Sequence, residues 1–232
     1  MISIVTSLYK SEKYLPKFFK SVKKVHTGLK KNKIHFEHII IANDISKEET
    51  ELIKKSVLNF KLITTPRETL YASWNRGVEN SIYKYTTFWS VDDFRFTYAF
   101  INGIKKLENG YDATYFPYIY KRYVWILGIK ILAMIKIVNP IKYNRELFIK
   151  GMYAGPHFIF RKSIFETNGT FNETFKIAGD FDWWSRLAKN NFKIIKTCSL
   201  SGIFNNDGRT LSGSKNSLQK KENETITNSQ NI

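Results

Sequence analysis

Two acidic segments contain the side chains best suited to chemistry. In the first, an aromatic run over residues 85–89 leads to two adjacent carboxylates, Asp92 and Asp93. Like charges side by side repel, so a cation placed between this pair and an anionic ligand would explain them. The alternative is a structural role, in which one carboxylate caps a helix predicted over residues 97–107.

The second acidic segment is Gly179-Asp180-Phe181-Asp182, followed by two tryptophans. It leads into a helix predicted over residues 183–189, so either carboxylate could cap that helix. Asp182 and Arg186 also have the i,i+4 spacing of an ion pair. Spacing alone therefore leaves a structural role open for both acids.

The composition indicates one globular domain with an anionic partner. The chain has 232 residues, and 37 Lys and Arg against 20 Asp and Glu give a formal charge of +17. Nucleic acid, acidic lipid and phosphorylated small molecules would all satisfy this charge. The single Cys198 excludes an intrachain disulfide framework and a cysteine-based zinc site. No apolar signal segment follows Met1, so we expect a cytoplasmic protein.

Apolar patterning predicts strands that alternate with helices. Strands are expected at residues 2–5, 38–42, 60–63 and 85–89, and helices at 15–25, 46–55 and 71–83. This alternation predicts a doubly wound α/β fold with a mostly parallel sheet in a single domain. Ligands of such folds collect at the carboxyl ends of the strands. The polar residues at those ends are expected to line one crevice: Thr6, Ser7, Tyr9, Asp44, Asp92 and Asp93.

Four segments, in this order, resemble the nucleotide-sugar-dependent glycosyltransferases of family 2, which have the GT-A fold. They are the opening strand and loop at 4–15, the second strand at 39–46, the helix Tyr71-Ala72-Ser73-Trp74-Asn75-Arg76-Gly77, and Ser90-Val91-Asp92-Asp93. The last falls where the family has an Asp-x-Asp metal motif, with Ser90 in place of the first acid. The resemblance covers residues 1–210, which we take as the glycosyltransferase domain.

The resemblance implies that the donor is a nucleotide-diphosphate sugar and that Asp92 binds a divalent cation, Mn²⁺ or Mg²⁺. Such a cation neutralises a leaving diphosphate as a Lewis acid. The residues that the resemblance assigns to the donor are Thr6, Ser7, Tyr9, Asp44, Asn75, Asp93 and Arg209.

The segment around Asp180 is similar to the family's Glu-Asp-x-Asp-x-x-x-Arg motif, in which the second acid is the catalytic base of an inverting transfer. By position that base is Asp180, which leaves capping to Asp182. The acceptor-side candidates are His157, Trp183 and Trp184, although adjacent helix residues point apart and at least one tryptophan is expected in the core. The implied acceptor is a glycan or a lipid-linked molecule in surface polysaccharide or lipopolysaccharide synthesis.

Residues 118–150 form a basic and apolar insertion, expected near the acceptor side. Within it, the apolar run 124–138 is interrupted by Lys130 and Lys136 and is shorter than the roughly 20 residues that a spanning helix needs. We weigh two hypotheses, a helix lying in an anionic membrane interface and a helix packed on the protein core. The first would make the protein peripheral on the cytoplasmic face of the membrane. Residues 211–232 are predicted to be a polar tail, partly helical or disordered.

Two other functions fit part of the sequence. A nucleotidyltransferase on a similar sheet would need a glycine-rich basic loop after the first strand, and residues 7–13 contain no glycine. A nucleic-acid or anionic-membrane binder would interleave aromatic with basic residues as a stacking surface, whereas many aromatic residues here follow core-like periodicities. We therefore expect no nucleic-acid partner.

Overall fold

The computed structural model describes residues 1–208 and 217–229 of the chain. Strands and helices alternate through its first half, as the apolar patterning predicts. In chain order the elements are β1 (Ile2–Leu8), α1 (Leu15–Lys31), β2 (Phe36–Asn43), α2 (Lys47–Lys55), β3 (Lys61–Thr65), α3 (Leu70–Glu79), β4 (Tyr85–Phe88), β5 (Phe94–Arg95), α4 (Thr97–Glu108), β6 (Ala113–Tyr115), β7 (Tyr118–Ile126), β8 (Ile129–Val138), α5 (Arg145–Lys150), β9 (Phe158–Arg161), α6 (Ile164–Thr167), α7 (Gly179–Lys189), β10 (Ile194–Lys196), β11 (Gly202–Asn206) and α8 (Ser217–Asn228).

The described residues build a seven-stranded central sheet with the order β10-β6-β9-β4-β1-β2-β3. β1 is parallel to β2 and β4, and β2 is parallel to β3, so the carboxyl ends of these four strands share one edge. β9 runs antiparallel between β4 and β6. The predicted α/β fold with a mostly parallel sheet is confirmed.

Apolar side chains cover both faces of this sheet, because successive residues of a strand point to opposite sides. In β1, Ile4 packs into the cluster that contains α1 and α4, whereas Val5 packs into the cluster that contains α3 and α7. The close approach of α3 to β1 requires glycine, since a Cβ atom at Gly77 would lie 2.2 Å from Val5 Cγ1. Two helical layers therefore fix the strand ends at which the crevice is expected.

The start of α2 agrees with its sequence signal, whereas the end of α3 differs from the predicted boundary. Ser46 and Glu49 have the spacing of a capping box, and the box forms at α2. The Ser46 hydroxyl accepts from the Glu49 backbone N–H, and the Glu49 carboxylate accepts from the Ser46 N–H. The helix predicted over residues 71–83 ends earlier, at Glu79. Ile82, inside the predicted helix, is instead exposed in the segment between α3 and β4.

Residues 118–138 are a β-hairpin, so both helix hypotheses for residues 124–138 are wrong. β7 and β8 pair antiparallel through the two-residue turn Leu127-Gly128, whose φ angles are 48° and 79°. Positive φ at both positions is typical of a type I′ turn, which matches the twist of paired strands. Val, Ile and aromatic residues favour strands, but apolar residues on both faces conceal the two-residue period. From Ile129 to Ile137 the strand β8 is exposed and is not packed on the core.

The hairpin belongs to a second sheet, which has the order β5-β11-β7-β8 in the described residues. Within the predicted polar tail, α8 buries Ile226 against Ala178 and Phe181. None of the helices in residues 1–208 and 217–229 is long and apolar enough to cross a membrane.

Candidate active site

Tyr9, Asp44 and Arg67 form a polar corner at the carboxyl ends of β1, β2 and β3. The Arg67 guanidinium lies over the Tyr9 ring, 4.5 Å from its centroid. The Asp44 carboxylate accepts a hydrogen bond from the Arg67 backbone N–H at 3.1 Å. Arg67 was missed in the sequence, although its place two residues after β3 follows the rule that ligands collect at strand ends.

Thr6 and Ser7 differ in what they contact. Thr6 is buried, and its hydroxyl donates to the Trp89 carbonyl oxygen at 2.7 Å and lies 2.9 Å from His38 Nε2. These contacts join β1, β2 and the end of β4, so Thr6 holds the carboxyl ends of these strands together. Ser7 is half-buried, with its Oγ 3.4 Å from Asn43 Nδ2 at the end of β2.

Asp93 and His157 are internal residues that hold the loop after β4. Asp93 Oδ1 accepts from the Asn205 backbone N–H at 2.9 Å, and Oδ2 lies 3.4 Å from His157 Nε2. Burial raises the pKa of Asp93 to about 7 and lowers the pKa of His157 well below its ordinary value. Both side chains are buried, so His157 offers no exposed atom to an acceptor.

Asp92 lines a cleft of about 240 Å³ between the start of α1, the loop after β4 and the hairpin. Burial first, and then the negative charges of Asp93 and Asp207, raise the pKa of Asp92 to about 8. Asp207 also lines this cleft, where it accepts from the Tyr14 hydroxyl at 3.0 Å. Lys130 of β8 supplies a counter-charge, with its Nζ 3.6 Å from Asp207 Oδ2.

The carboxylates of this cleft have the chemistry to hold a divalent cation. Mg²⁺ and Mn²⁺ prefer oxygen ligands and take only one or two from the protein when phosphate and water complete the shell. Among the described residues, no three His, Cys, Asp or Glu side chains are grouped to hold a metal ion. Asp92 and Asp207 therefore fit a cation bound together with a ligand's oxygens. No sequence pattern marks Asp207 as a site residue. Of the loop after β11, the resemblance assigns only Arg209 to the donor.

Asp180 lies in the first turn of α7, against the first turn of α3. Its Oδ1 accepts from the Phe181 N–H at 2.9 Å and lies 3.3 Å from the Tyr71 hydroxyl. Burial raises the pKa of Asp180 to about 6, and the charge of Glu222 adds to this effect. Because α3 begins just after the carboxyl end of β3, Asp180 belongs to the same edge of the sheet as Asp44 and Asp92.

Glu222 of α8 holds the backbone that leads into α7. Its carboxylate accepts from the N–H groups of Lys176 at 2.9 Å, Ile177 at 3.0 Å and Ala178 at 2.9 Å. The N-terminus of a helix favours a negative charge, and hydrogen bonds to a carboxylate are stronger than neutral ones. The side chain that fixes the Asp180 segment thus comes from the polar tail, where no motif pointed to it.

Of the structural roles predicted for the two acids of α7, the ion pair of Asp182 forms and its capping role does not. Asp182 forms the predicted ion pair with Arg186, 2.9 Å from its Nη2. The predicted capping by Asp182 is wrong, because α7 has no side-chain cap, and it is the Asp180 carboxylate that accepts an N–H of the first turn. Capping of the next helix by Asp92 or Asp93 is also wrong, since α4 follows Phe96 without a side-chain cap.

The other predicted residues lie in the core or outside the described residues. Trp183 and Trp184 are fully buried, with ring centroids 4.9 Å from Phe160 and 5.3 Å from Phe158. Neither indole has surface on which a sugar could stack, which removes both from the acceptor side. Asn75 binds the Phe171 backbone, with its Nδ2 2.9 Å from the carbonyl oxygen and its Oδ1 2.9 Å from the N–H. Arg209 lies outside the described residues.

Comparison with known proteins decides the family. Residues 3–169 match the family described as Glycosyl transferase family 2. The chain belongs to glycosyl transferase family 2. Curated protein sequences give no match to this glycosyltransferase chain.

Solved structures share the fold of this family 2 chain at low sequence identity. S. aureus TarS 1-349 in complex with UDP-GlcNAc is 13% identical with a TM-score of 0.70, over 97% of this chain and 64% of the TarS chain. Mannosyltransferase PcManGT from Pyrobaculum calidifontis, in complex with GDP-Man and Mn²⁺, is 11% identical with a TM-score of 0.64, over 90% of this chain and 58% of that chain. The predicted GT-A fold is confirmed, and the chain spans less than two thirds of either neighbour.

Proposed function

We propose that this family 2 glycosyltransferase moves a sugar from a nucleotide-diphosphate donor to a hydroxyl group of a glycan or lipid-linked acceptor, with inversion at the anomeric carbon. The observation that carries the proposal is the carboxylate of Asp180, whose pKa is raised to about 6, at the same edge of the sheet as the Asp92 cleft. A base for a hydroxyl group and a place for a charged donor are the two requirements of such a transfer.

The polar corner of Tyr9, Asp44 and Arg67 suits the nucleoside end of the donor. The Tyr9 ring offers a face for stacking, the Asp44 carboxylate accepts an N–H of a base, and Arg67 adds a positive charge. Uracil and guanine both carry such an N–H. Ser7 would face the donor from the carboxyl end of β1, whereas the buried Thr6, Asn75 and Asp93 would support the surrounding backbone. We propose Arg209, which follows β11 in the sequence, as a phosphate contact.

The Asp92 cleft suits the diphosphate end of the donor. Asp92, with Asp207 beside it, would hold Mn²⁺ or Mg²⁺. When bound, the cation neutralises the negative charge that develops on the leaving diphosphate. Lys13, Lys17 and Lys130 line the same cleft and add positive charge of their own.

Asp180 is the proposed base. The acceptor oxygen forms its bond to the anomeric carbon as the bond from that carbon to the diphosphate breaks, and the hydroxyl proton passes to Asp180. Oδ2 is the candidate atom, because Oδ1 already accepts from the Phe181 N–H. The Tyr71 hydroxyl donates to the Ile177 carbonyl oxygen at 2.6 Å and also lies near Oδ1, so it holds the segment around the base. Attack from the face opposite the diphosphate inverts the anomeric carbon.

A panel of nucleotide sugars tests the donor class directly. UDP-GlcNAc and GDP-Man, the ligands of the two structural neighbours, come first, each with Mn²⁺ and with a chelator. At about 100 times its Kd, a true donor raises the Tm by roughly 5–10 °C. The stabilisation should require the metal ion. A panel in which every nucleotide sugar leaves the Tm unchanged, with and without Mn²⁺, would contradict the proposal.

Glu222→Gln tests whether α8 positions the base. The variant removes a negative charge near Asp180, so the pKa of Asp180 falls and the acidic limb of the kcat/KM profile moves to lower pH. Weaker acceptance of three N–H groups should also lower the free energy of unfolding by about 1–3 kcal/mol. The matched control is Glu224→Gln on the same helix, whose side chain is 61% exposed. A pH profile and a Tm that both equal those of the control would exclude the positioning role.

A further inference from the structure

The tip of the β7–β8 hairpin exposes large aliphatic side chains. Leu127 is 97% exposed, Ile129 is 65% exposed and Ile126 is 54% exposed. More aliphatic residues of β8 are exposed along its length: Ile131, Leu132, Met134, Ile135 and Ile137. Contiguous exposed apolar surface of this kind marks a site of interaction with a protein or a membrane.

The conformation of the turn indicates that the apolar tip has a function beyond folding. Leu127 has a φ of 48°, a left-handed conformation in which Asn, Asp and Gly are the favoured residues of a type I′ turn. A leucine there is unfavourable for the backbone, and its side chain has almost no contact with the rest of the protein. Folding therefore does not explain the choice of leucine, whereas an apolar partner does.

Both faces of the hairpin are apolar. The register pairs Val124 with Ile131 and Ile126 with Ile129 on one face. Leu132, Ile135 and Ile137 lie on the opposite face by the same register. A second protein surface would cover one face and leave the other in water, whereas a lipid interface surrounds the tip on every side.

The charge around the hairpin is complementary to an anionic surface. Residues 113–145 contain no Asp or Glu, and their basic residues are Lys121, Arg122, Lys130, Lys136, Lys142 and Arg145. Lys130 is paired with Asp207 in the cleft, and Arg145 donates to the Ala188 carbonyl oxygen at the end of α7. Lys121, Arg122, Lys136 and Lys142 remain for lipid headgroups. Tyr120 and Trp125 add amphipathic rings of the type found at membrane interfaces.

We propose that the hairpin tip, residues 126–129, inserts into the interfacial region of an anionic membrane while the flanking Lys and Arg bind lipid headgroups. The depth is limited because β8 is the edge strand of its sheet, and its unpaired backbone groups need water or headgroups as partners. Tyr123, Trp125 and Lys130 of the same hairpin line the Asp92 cleft, so insertion brings the cleft to the membrane surface. This placement suits a lipid-linked acceptor, a conclusion that rests on the proposed function.

Vesicle flotation of the full chain tests the insertion. The wild type should float with phosphatidylcholine vesicles that contain roughly 30% phosphatidylglycerol, and high salt or pure phosphatidylcholine should weaken this binding. Leu127→Asn suits the turn and removes the most exposed apolar side chain of the tip, so we expect roughly a tenfold loss of vesicle binding. The control is Val57→Asn, since Val57 is 91% exposed and has a φ of 54°. It should float as the wild type does.

Three results would overturn the insertion. They are a wild type that stays at the bottom of the gradient, a Leu127→Asn variant that floats like the wild type, and a wild-type dimer that dissociates in Leu127→Asn without any flotation. The last result would show that a second copy of the chain covers the tip. Flotation uses no donor, and Leu127 does not line the cleft, so Leu127→Asn should keep the thermal shift with nucleotide sugar. Failure of flotation is thus distinguishable from failure of the proposed function.

Discussion

Asp180→Asn is expected to bind the nucleotide-sugar donor like the wild type and to lose transfer by a factor of about 10²–10⁴, the usual contribution of a general base. Asparagine keeps an oxygen that accepts from the Phe181 N–H, so the first turn of α7 should fold unchanged. Its amide group does not take a proton from the acceptor hydroxyl. Initial rates of sugar transfer at saturating donor measure the loss.

The pH dependence gives a second readout for the same residue. The base works in its ionised form, and burial raises the pKa of Asp180 to about 6. At saturating Mn²⁺, where the ionisation of Asp92 no longer limits donor binding, wild-type kcat/KM should therefore rise as the pH increases through about 6 and become constant above it. The residual activity of Asp180→Asn should lack this limb. The control is Asp182→Asn, which breaks the ion pair with Arg186 on the same helix and should keep both rate and pH profile. An Asp180→Asn variant within tenfold of the control would remove Asp180 as the base.

Asp92→Asn should lose metal-dependent donor binding and unfold at a higher temperature than the wild type. The pKa of Asp92 is raised from 3.8 to about 8, so the folded state holds this proton more tightly than the unfolded chain. For a raised carboxyl pKa, stability falls as the pH rises between those two values, because the ionised form is disfavoured in the fold. A neutral amide removes this penalty near pH 7. We expect a gain of at least about 1 kcal/mol, which corresponds to roughly 2–4 °C in Tm.

Calorimetric titration with Mn²⁺ and with a chelator measures the binding, and a thermal melt without ligand measures the stability. The control is Asp112→Asn, since Asp112 is partly exposed and lies 3.7 Å from Arg161, away from the cleft. That variant should bind the donor normally and gain no stability. Donor binding by Asp92→Asn that is unchanged with both Mn²⁺ and chelator would contradict the assignment of the metal to Asp92.

The parallel sheet was predictable because its strands are continuous apolar runs that end in polar residues. The run His38-Ile39-Ile40-Ile41-Ala42 is buried from both sides, and Asp44 follows it at the carboxyl edge. The start of α2 was also predictable, because Ser46 and Glu49 have the spacing of a capping box. These features depend on neighbours in sequence, which a pattern can detect.

The hairpin was not predictable from its period, because a strand with apolar residues on both faces gives no alternation. Residues 124–138 therefore resembled a helix, although the dipeptide Leu127-Gly128 marks the turn in retrospect.

The adjacent tryptophans of α7 show a related limit of sequence patterns. Adjacent helix residues point apart, but α7 is enclosed by β9 on one side and α5 on another. Trp183 and Trp184 are both buried for this reason.

The rest of the candidate site depends on tertiary contacts between distant residues. Asp207 joins Asp92 only because β11 pairs with β7 and β5. Glu222 reaches the Asp180 segment from 44 to 46 residues farther along the chain. Neither has a neighbouring motif, so no spacing rule would identify them. The sequence could name Asp92, Asp93 and Asp180 but not Asp207 and Glu222, whose charges add to the raised pKa values of Asp92 and Asp180.

The division of roles between the two carboxylates is tested most directly by comparing Asp92→Asn with Asp180→Asn. The Kd of the donor and the rate of sugar transfer are measured on the same preparations of each variant. We expect the two variants to fail in opposite ways. Asp92→Asn loses metal-dependent binding of the donor, whereas Asp180→Asn binds the donor with a Kd within about threefold of the wild type and loses transfer. If Asp180→Asn lost donor binding as Asp92→Asn does, or if Asp92→Asn bound the donor normally and lost only transfer, the assignment would be contradicted.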